Sequence, residues 1–439
     1  MSGRNTSKLF HLGSLVVIAF VAEGILSKGD LPVVGLGFVT HMMGTAGLFV
    51  ALFVCQGFNH TPVRKEAVNS TLRTIRTAIL ILCAWALACS FFQSPRFLAA
   101  NVLFWSFWAV NLYVIWWVVP SLLGDLSSRD RVKLLLFIQG TVVCLCVLMH
   151  PRNGYQQGRL VGMFVNASHS GRMMALATIS LFAVWLTSRE KRRWVSVMLP
   201  VALLLLLMTR TRASIGASLI GCTAVFLTSQ LASHSWRQTS VRHKTGVLVA
   251  VVFLAAVGAY QTIDSDEAAT FLRVSGGIQK VLAGRAMNWS QGYGDFGEYG
   301  LAGQGFMSRF GDTENPTKMM GIEIPRYDWR TADDPMNMWM SIAKQSGFVA
   351  MILLAVIVIC LYKLQAGIVH LPSRCIMLGF LTAGLVFGSF DGNWLLSFGH
   401  PVDRLCMVTF AMLASVSPPG RRSVVSVRPH ARLSVSTAA

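Results

Sequence analysis

Thr209-Arg210-Thr211-Arg212 closes one apolar run and opens the next, so two guanidiniums stand where the chain turns at the edge of a membrane. Two fixed, outward-facing arginines suit a phosphate or diphosphate, because the guanidinium fork binds such groups bidentately. Snorkelling to the interface is the other reading, and arginine does it readily. A second set of candidates lies in a long polar stretch. Arg285, Trp289, Gly303 and Gly305 fall within "AGRAMNWSQGYGDFGEYGLAGQGF", and Asp333, Asp334 and Asn337 within "DDPMNMWM". Carboxylates and a carboxamide there suit proton transfer or positioning of a hydroxyl, although acidic loop residues are commonly just solvated. His150, His169 and His400 also sit by the ends of apolar runs, where each alone reads first as a packed or interfacial residue.

Such residues need helices to position them. The 439 residues are 54% hydrophobic and only 13% charged, with a mean hydropathy of +0.56. A soluble chain carries roughly a quarter of its residues charged. A helix needs about 20 apolar residues to cross the hydrocarbon. Twelve runs approach that length, near 9–27, 33–56, 77–93, 99–122, 132–150, 169–187, 194–209, 212–229, 245–262, 346–363, 374–391 and 400–417. The expected fold class is therefore all-α, a polytopic membrane protein with about twelve transmembrane helices. The N-terminal run has a basic start but no small-x-small cleavage site, which predicts a retained first helix.

The net charge of +19 is held in short clusters between the runs, such as "SREKRRW", "SWRQTSVRHK" and the tail "GRRSVVSVRPHARL". Cytoplasmic loops keep Lys and Arg, and anionic membrane lipid attracts them. No basic stripe with interleaved aromatics is present, so nucleic acid is not an expected partner. With the N-terminus inside, every strongly basic loop falls in the cytoplasm, and so does the C-terminus. The organisation expected is nine helices over 1–262, an extracytoplasmic loop over 263–345, three helices over 346–417 and a basic cytoplasmic tail over 418–439. The 83-residue loop is acidic on balance and rich in Gly, Trp and Tyr. It is longer than a helix connection needs, and such loops carry function. "IQKVLAGRAMNWSQGYGDF" predicts short helices in it. The nine cysteines lie in or beside apolar runs, with no disulfide framework or zinc spacing. No His cluster is placed to hold a metal, and no metal or cofactor is expected.

Several motifs follow in order between residues 155 and 365. An apolar run ends in Thr209–Arg212. Gly284-Arg285 then precedes Trp289 and Gly303-Gln304-Gly305, and Met336-Asn337 precedes Gly347. "GMFVNASHSGRMMALATISL" adds a Gly171-Arg172 pair entering a span. In this order they resemble the O-antigen ligase and polymerase superfamily, closest to exopolysaccharide repeat-unit polymerases of the succinoglycan and xanthan type. The resemblance implies a GT-C-like glycosyltransferase architecture without a metal. It also implies polymerisation of polyprenyl-diphosphate-linked oligosaccharide repeat units at the outer face of a bacterial inner membrane.

Carried onto this chain, the resemblance makes Arg212, Arg285, Asn337, Asp334 and His400 the catalytic candidates. Arg210, Trp289, Arg172 and Arg326 become substrate-binding candidates. Its implied partners are the lipid-linked oligosaccharide and membrane lipid, with a flippase and chain-length or export proteins alongside. Met336 departs from the pattern, standing where relatives place a histidine. A thioether accepts no proton at neutral pH, so the base must come from Asp333, Asp334 or His400. The departure weighs more against an O-antigen ligase acting on a lipid A core than against a polymerase. A transporter or flippase for lipid-linked sugar is the alternative of a different class. Against it stand span middles nearly free of charge.

Overall fold

A computed structural model of the chain describes residues 14–22, 70–93, 95–124, 126–153, 155–156, 159–164, 166–188, 192–232, 300–305, 312–319, 322–326, 337–390 and 401–414. These are almost wholly helical. The helices are α1 (14–22), α2 (Ser70–Gln93), α3 (Leu98–Leu122), α4 (Ser128–Asn153), α5 (Ala167–Thr187), α6 (Arg192–Met208), α7 (Arg212–Ala232), α8 (Met338–Ala366), α9 (Leu371–Phe390) and α10 (Pro401–Ala414). Two antiparallel hairpins interrupt them, β1 (Tyr155–Gln156) with β2 (Arg159–Leu160) and β3 (Asp312–Met319) with β4 (Ile322–Arg326). Among the described residues seven helices, α2 to α5 and α7 to α9, are long and apolar enough to cross a membrane. Helices suit that setting because they satisfy their backbone groups without water. The chain is an α-helical polytopic membrane protein.

Ten of the twelve expected spans overlap these helices, while 33–56 and 245–262 lie outside the described residues. Two starts differ from the expectation. Helix α2 begins at Ser70, ahead of residue 77, and α8 begins at Met338, ahead of residue 346. Apolar content marks where a helix becomes greasy, whereas the cap marks where it starts. The end of the 263–345 segment is thus helical from residue 338. Short helices were expected in that segment, but its described middle is the β3–β4 hairpin. Ile322-Glu323-Ile324 alternates with the period of a strand. The stretch that prompted the helical expectation, residues 278–296, lies outside the described residues.

Helix α5 is the axis of the bundle, with 89% of its most apolar window buried. Ala175, Ala177, Ser180 and Ala183 keep its surface low, and α6, α7 and α9 pack against it. Ile179 fills the space left by two glycines. A Cβ on Gly379 would stand 2.5 Å from its Cγ2, and one on Gly221 2.6 Å from its Cδ1. Helix α2 packs along α8. Buried arginines tie the remaining ends. Arg131 donates to the carbonyls of Leu123, Gly124 and Leu126 and to that of Met412, capping the C-termini of α3 and α10. Arg404 donates to Phe20 O at 2.9 Å and Asn111 Oδ1 at 3.0 Å, with its guanidinium 4.5 Å from the Phe20 ring centroid. Both arginines lie in the first turns of their helices, as does Asp403, and Arg172 lies in the second turn of α5, so the middles of the described spans stay nearly uncharged.

Candidate functional site at the loop end of the bundle

Packing and hydrogen bonds bring the C-termini of α2, α6 and α9 and the N-termini of α5, α7 and α8 to one end of the bundle, beside residues 300–305 and the β3–β4 hairpin. The Thr209–Arg212 turn is built there. Helix α6 finishes with Thr209 N donating to Leu205 O at 3.1 Å and Arg210 N donating to Leu207 O at 3.0 Å. Arg210 then takes a left-handed backbone with φ +49°, which reverses the chain without glycine. Thr209 and Thr211 are buried while Arg210 is exposed and Arg212 half-buried, so the alternation sends the hydroxyls inward and leaves the arginines more open.

Arg159, on β2, holds this turn from beneath. Its Nε donates to Thr209 O at 3.2 Å and its Nη2 to Thr211 Oγ1 at 3.2 Å. The Thr211 hydroxyl also donates to Ala167 O at 3.2 Å, joining the turn to the first residue of α5. Gly171 lets the two helices close, since a Cβ there would stand 2.8 Å from Ser214 Oγ and 2.9 Å from Thr211 Oγ1. The sequence reading gave Arg159 no role. Its only signal was a Gly-Arg pair, Gly158-Arg159, ahead of the apolar "LVGMF".

The Gly303-Gln304-Gly305 segment meets Gly347. Helix α8 is broken at Gly347, whose φ of 72° and ψ of −170° lie outside the helical region. A break withdraws the amides that would have served the preceding carbonyls, and these need new donors. Gln304 N donates to Lys344 O at 2.7 Å, Gly305 N to Gln345 O at 3.1 Å, and the Trp85 indole to Ser346 O at 2.8 Å. Phe348 N turns the other way, to Gly300 O at 3.2 Å. Gly303 at φ 68° and Gly305 at φ 99° need the left-handed region that lets this segment lie flat on the helix. Lys344 is buried at the break and had not been singled out in the sequence.

Asn337 opens α8. From extended backbone its Oδ1 accepts Trp339 N at 2.9 Å and Met340 N at 3.4 Å, and its Nδ2 faces Ser389 O at 3.5 Å on α9. This is an N-cap, with the amide oxygen committed to the helix. Arg172 is 2% exposed and lies inside the bundle, where it and Asp403 of α10 both act electrostatically on Cys406. Arg326 ends β4 in register with Asp312. The hairpin is tied to the turn after α2 by an exposed ion pair of 3.3 Å between Arg96 Nε and Glu323 Oε2. His169 is half-buried in the first turn of α5. The side chain of His150 and all of Arg285, Trp289, Asp333, Asp334, Met336 and His400 lie outside the described residues.

No family model matches the chain, and no curated protein matches it. Among solved structures, a chain from work on the structural coordination of polymerization and crosslinking by a peptidoglycan synthase complex is similar. The two share 15% identity, covering 80% of this chain and 98% of that one, with a TM-score of 0.43. At that level the site is read from its own residues.

Proposed function

We propose that this protein is a metal-independent membrane glycosyltransferase that polymerises polyprenyl-diphosphate-linked oligosaccharide repeat units into exopolysaccharide or O-antigen. The reaction takes place at the outer face of a bacterial inner membrane. The observation that supports this reading is the docking of Gly303-Gln304-Gly305 into the break at Gly347. Two separated pieces of the superfamily signature thereby meet at the end of the bundle that also carries the Thr209–Arg212 turn.

The donor is a glycan on a lipid diphosphate, and the acceptor is a sugar hydroxyl of another repeat. The acceptor oxygen forms a bond to the anomeric carbon as the carbon–oxygen bond to the diphosphate breaks. The diphosphate leaves with the electron pair, and the hydroxyl proton passes to Asp333, Asp334 or His400. Arg212 and Arg285 neutralise the charge that grows on the leaving group, and fixed cations aimed at developing charge need no metal. Arg210, exposed on its strained turn, and Trp289 hold the glycan side of the donor, while Arg326 on the hairpin meets the acceptor. Asn337 acts by fixing the start of α8. Incubating the purified protein in liposomes with lipid-diphosphate repeats tests the reading. A ladder of products supports it. A single transfer to lipid A makes the protein a ligase, and no transfer at all returns the transporter reading.

A further inference from the structure

Among the described residues one carboxylate is fully enclosed, that of Asp403, and four cations are buried, Arg131, Arg172, Lys344 and Arg404. A carboxylate inside a membrane bundle persists where a cation or several hydrogen bonds meet it. Two of the four cations are turned elsewhere. Arg131 serves carbonyls at the far end of α10, Met412 O among them. The Arg404 guanidinium reaches Phe20 O and Asn111 Oδ1, on α1 and α3. Successive residues of a helix point to different sides, so Asp403 does not share that direction. Asp403 and Cys406 are three residues apart and lie on one face of α10. The Cys406 thiol feels the charges of both Asp403 and Arg172, and α5, which carries Arg172, packs against α10. Arg172 thus stands on the side of α10 to which Asp403 points.

We infer that Arg172 is a positioning residue that pairs with Asp403 across the α5–α10 contact and fixes the depth of α10 in the bundle. Arg172 lies five residues beyond Ala167, about 8 Å along α5 at the rise of a helix. Ala167 is the residue whose carbonyl accepts the Thr211 hydroxyl. The pair therefore sets the first turn of α10 about 8 Å beneath the level of the Thr209–Arg212 turn. Arg131 holds the last turn of the same helix, so α10 is fastened at both ends. This role replaces substrate binding for Arg172, whose 2% exposure offers no open face to a diphosphate. Its effect on activity rests on the polymerase reading above, whereas its effect on stability does not.

The test measures unfolding midpoints of the purified full-length chain in detergent for Arg172→Met, Asp403→Asn and the double variant Arg172→Met/Asp403→Asn. Each single variant leaves a buried charge without its counterpart and is expected to lower the midpoint by several degrees. The double variant removes both charges and is expected to recover most of that loss. Losses that simply add overturn the pair. Lys344, the buried cation of α8, is the control. Losses in Lys344→Met/Asp403→Asn are expected to add, and recovery there in place of the Arg172 double variant overturns the assignment. Where a single variant fails to accumulate in the membrane, restored levels of the Arg172 double variant support the pair. A double variant that accumulates no better than the worse single variant overturns it. The liposome assay then separates positioning from binding. In the stable double variant the KM for lipid-diphosphate repeats is expected to match that of the wild type. A raised KM at normal stability returns Arg172 to the substrate and overturns the positioning role. No transfer by the wild-type chain removes the polymerase reading and leaves the stability result standing.

Discussion

Gly303 and Gly347 meet backbone to backbone. A Cβ on Gly303 would stand 2.6 Å from Gly347 N and 2.7 Å from Lys344 O, and one on Gly347 would collide with the carbonyl of Leu301. Neither neighbour is the movable end of a side chain, so the clash has no cheap relief. Both residues also have positive φ, 68° and 72°. Gly347→Ala and Gly303→Ala are each expected to cost about 3 kcal/mol, combining left-handed strain with overpacking. Gly216, in α7 with open space around it, is the control. There alanine should be neutral or stabilise by up to about 1 kcal/mol. Thermal unfolding in detergent compares the three, and a wild-type midpoint for Gly347→Ala would sink the docking.

Asn337 is predicted to act as a cap. Asn337→Ala should cost about 1 kcal/mol, while Asn337→Ser and Asn337→Asp keep most of the stability because each offers an oxygen to the same amides. Product formation should follow stability across the three variants. An Asn337→Ser protein of normal stability that makes no polymer would instead assign the carboxamide to the substrate.

Arg159 is predicted to support the Thr209–Arg212 turn from the inside. Replacing it with leucine leaves Thr209 O without this donor and removes a charged hydrogen bond to Thr211. Such bonds are worth about 1.5 to 3 kcal/mol. Arg159→Leu should therefore destabilise the protein by that much, with Arg159→Lys intermediate because it can reach one acceptor but not fork to two. Unfolding midpoints for the two variants check the order.

Arg212→Ala and Arg285→Ala are each expected to abolish polymer while membrane levels of the protein stay normal. Loss of one group that stabilises developing charge costs about a hundredfold to a thousandfold in rate. Lysine should rescue poorly, lacking the bidentate fork. Initial rates in the liposome assay at matched expression measure this, and wild-type rates from Arg285→Ala would remove it from the diphosphate site.

His370 predicts a pH dependence of stability. Burial lowers its pKa below the ordinary 6.5. Below that value the unfolded chain binds a proton that the folded chain does not, so stability falls as pH drops through the interval beneath 6.5 and is flat above it. His370→Gln should flatten this part of the curve. Unfolding midpoints taken from about pH 7 down to about pH 5 in both proteins test it. An unchanged slope in the variant would place the proton uptake elsewhere.

Much of this was legible in the sequence. Membrane insertion depends on how many apolar residues run together, which is a local property of composition, so ten of the expected spans overlap described helices. The Thr209–Arg212 turn was legible for the same reason, as a polar interruption between two apolar runs. Gly303, Gly305 and Gly347 were visible as a pattern, although their spacing said nothing about contact.

Tertiary structure decided the rest. Whether Asn337 serves a substrate or a helix depends on which amides lie beside its oxygen, and that follows from where α8 starts. Arg159 is marked in the sequence only by a Gly-Arg pair and Arg131 by nothing that names its role, because their acceptors are mostly backbone carbonyls, which every residue possesses. Arg172, at the entry to a span, was a substrate-binding candidate, yet the packing of α5 at the centre of the bundle encloses it. Partitioning into a membrane is summed along the chain, residue by residue. A hydrogen bond exists only where two distant backbones come within about 3 Å, a distance that no stretch of sequence contains.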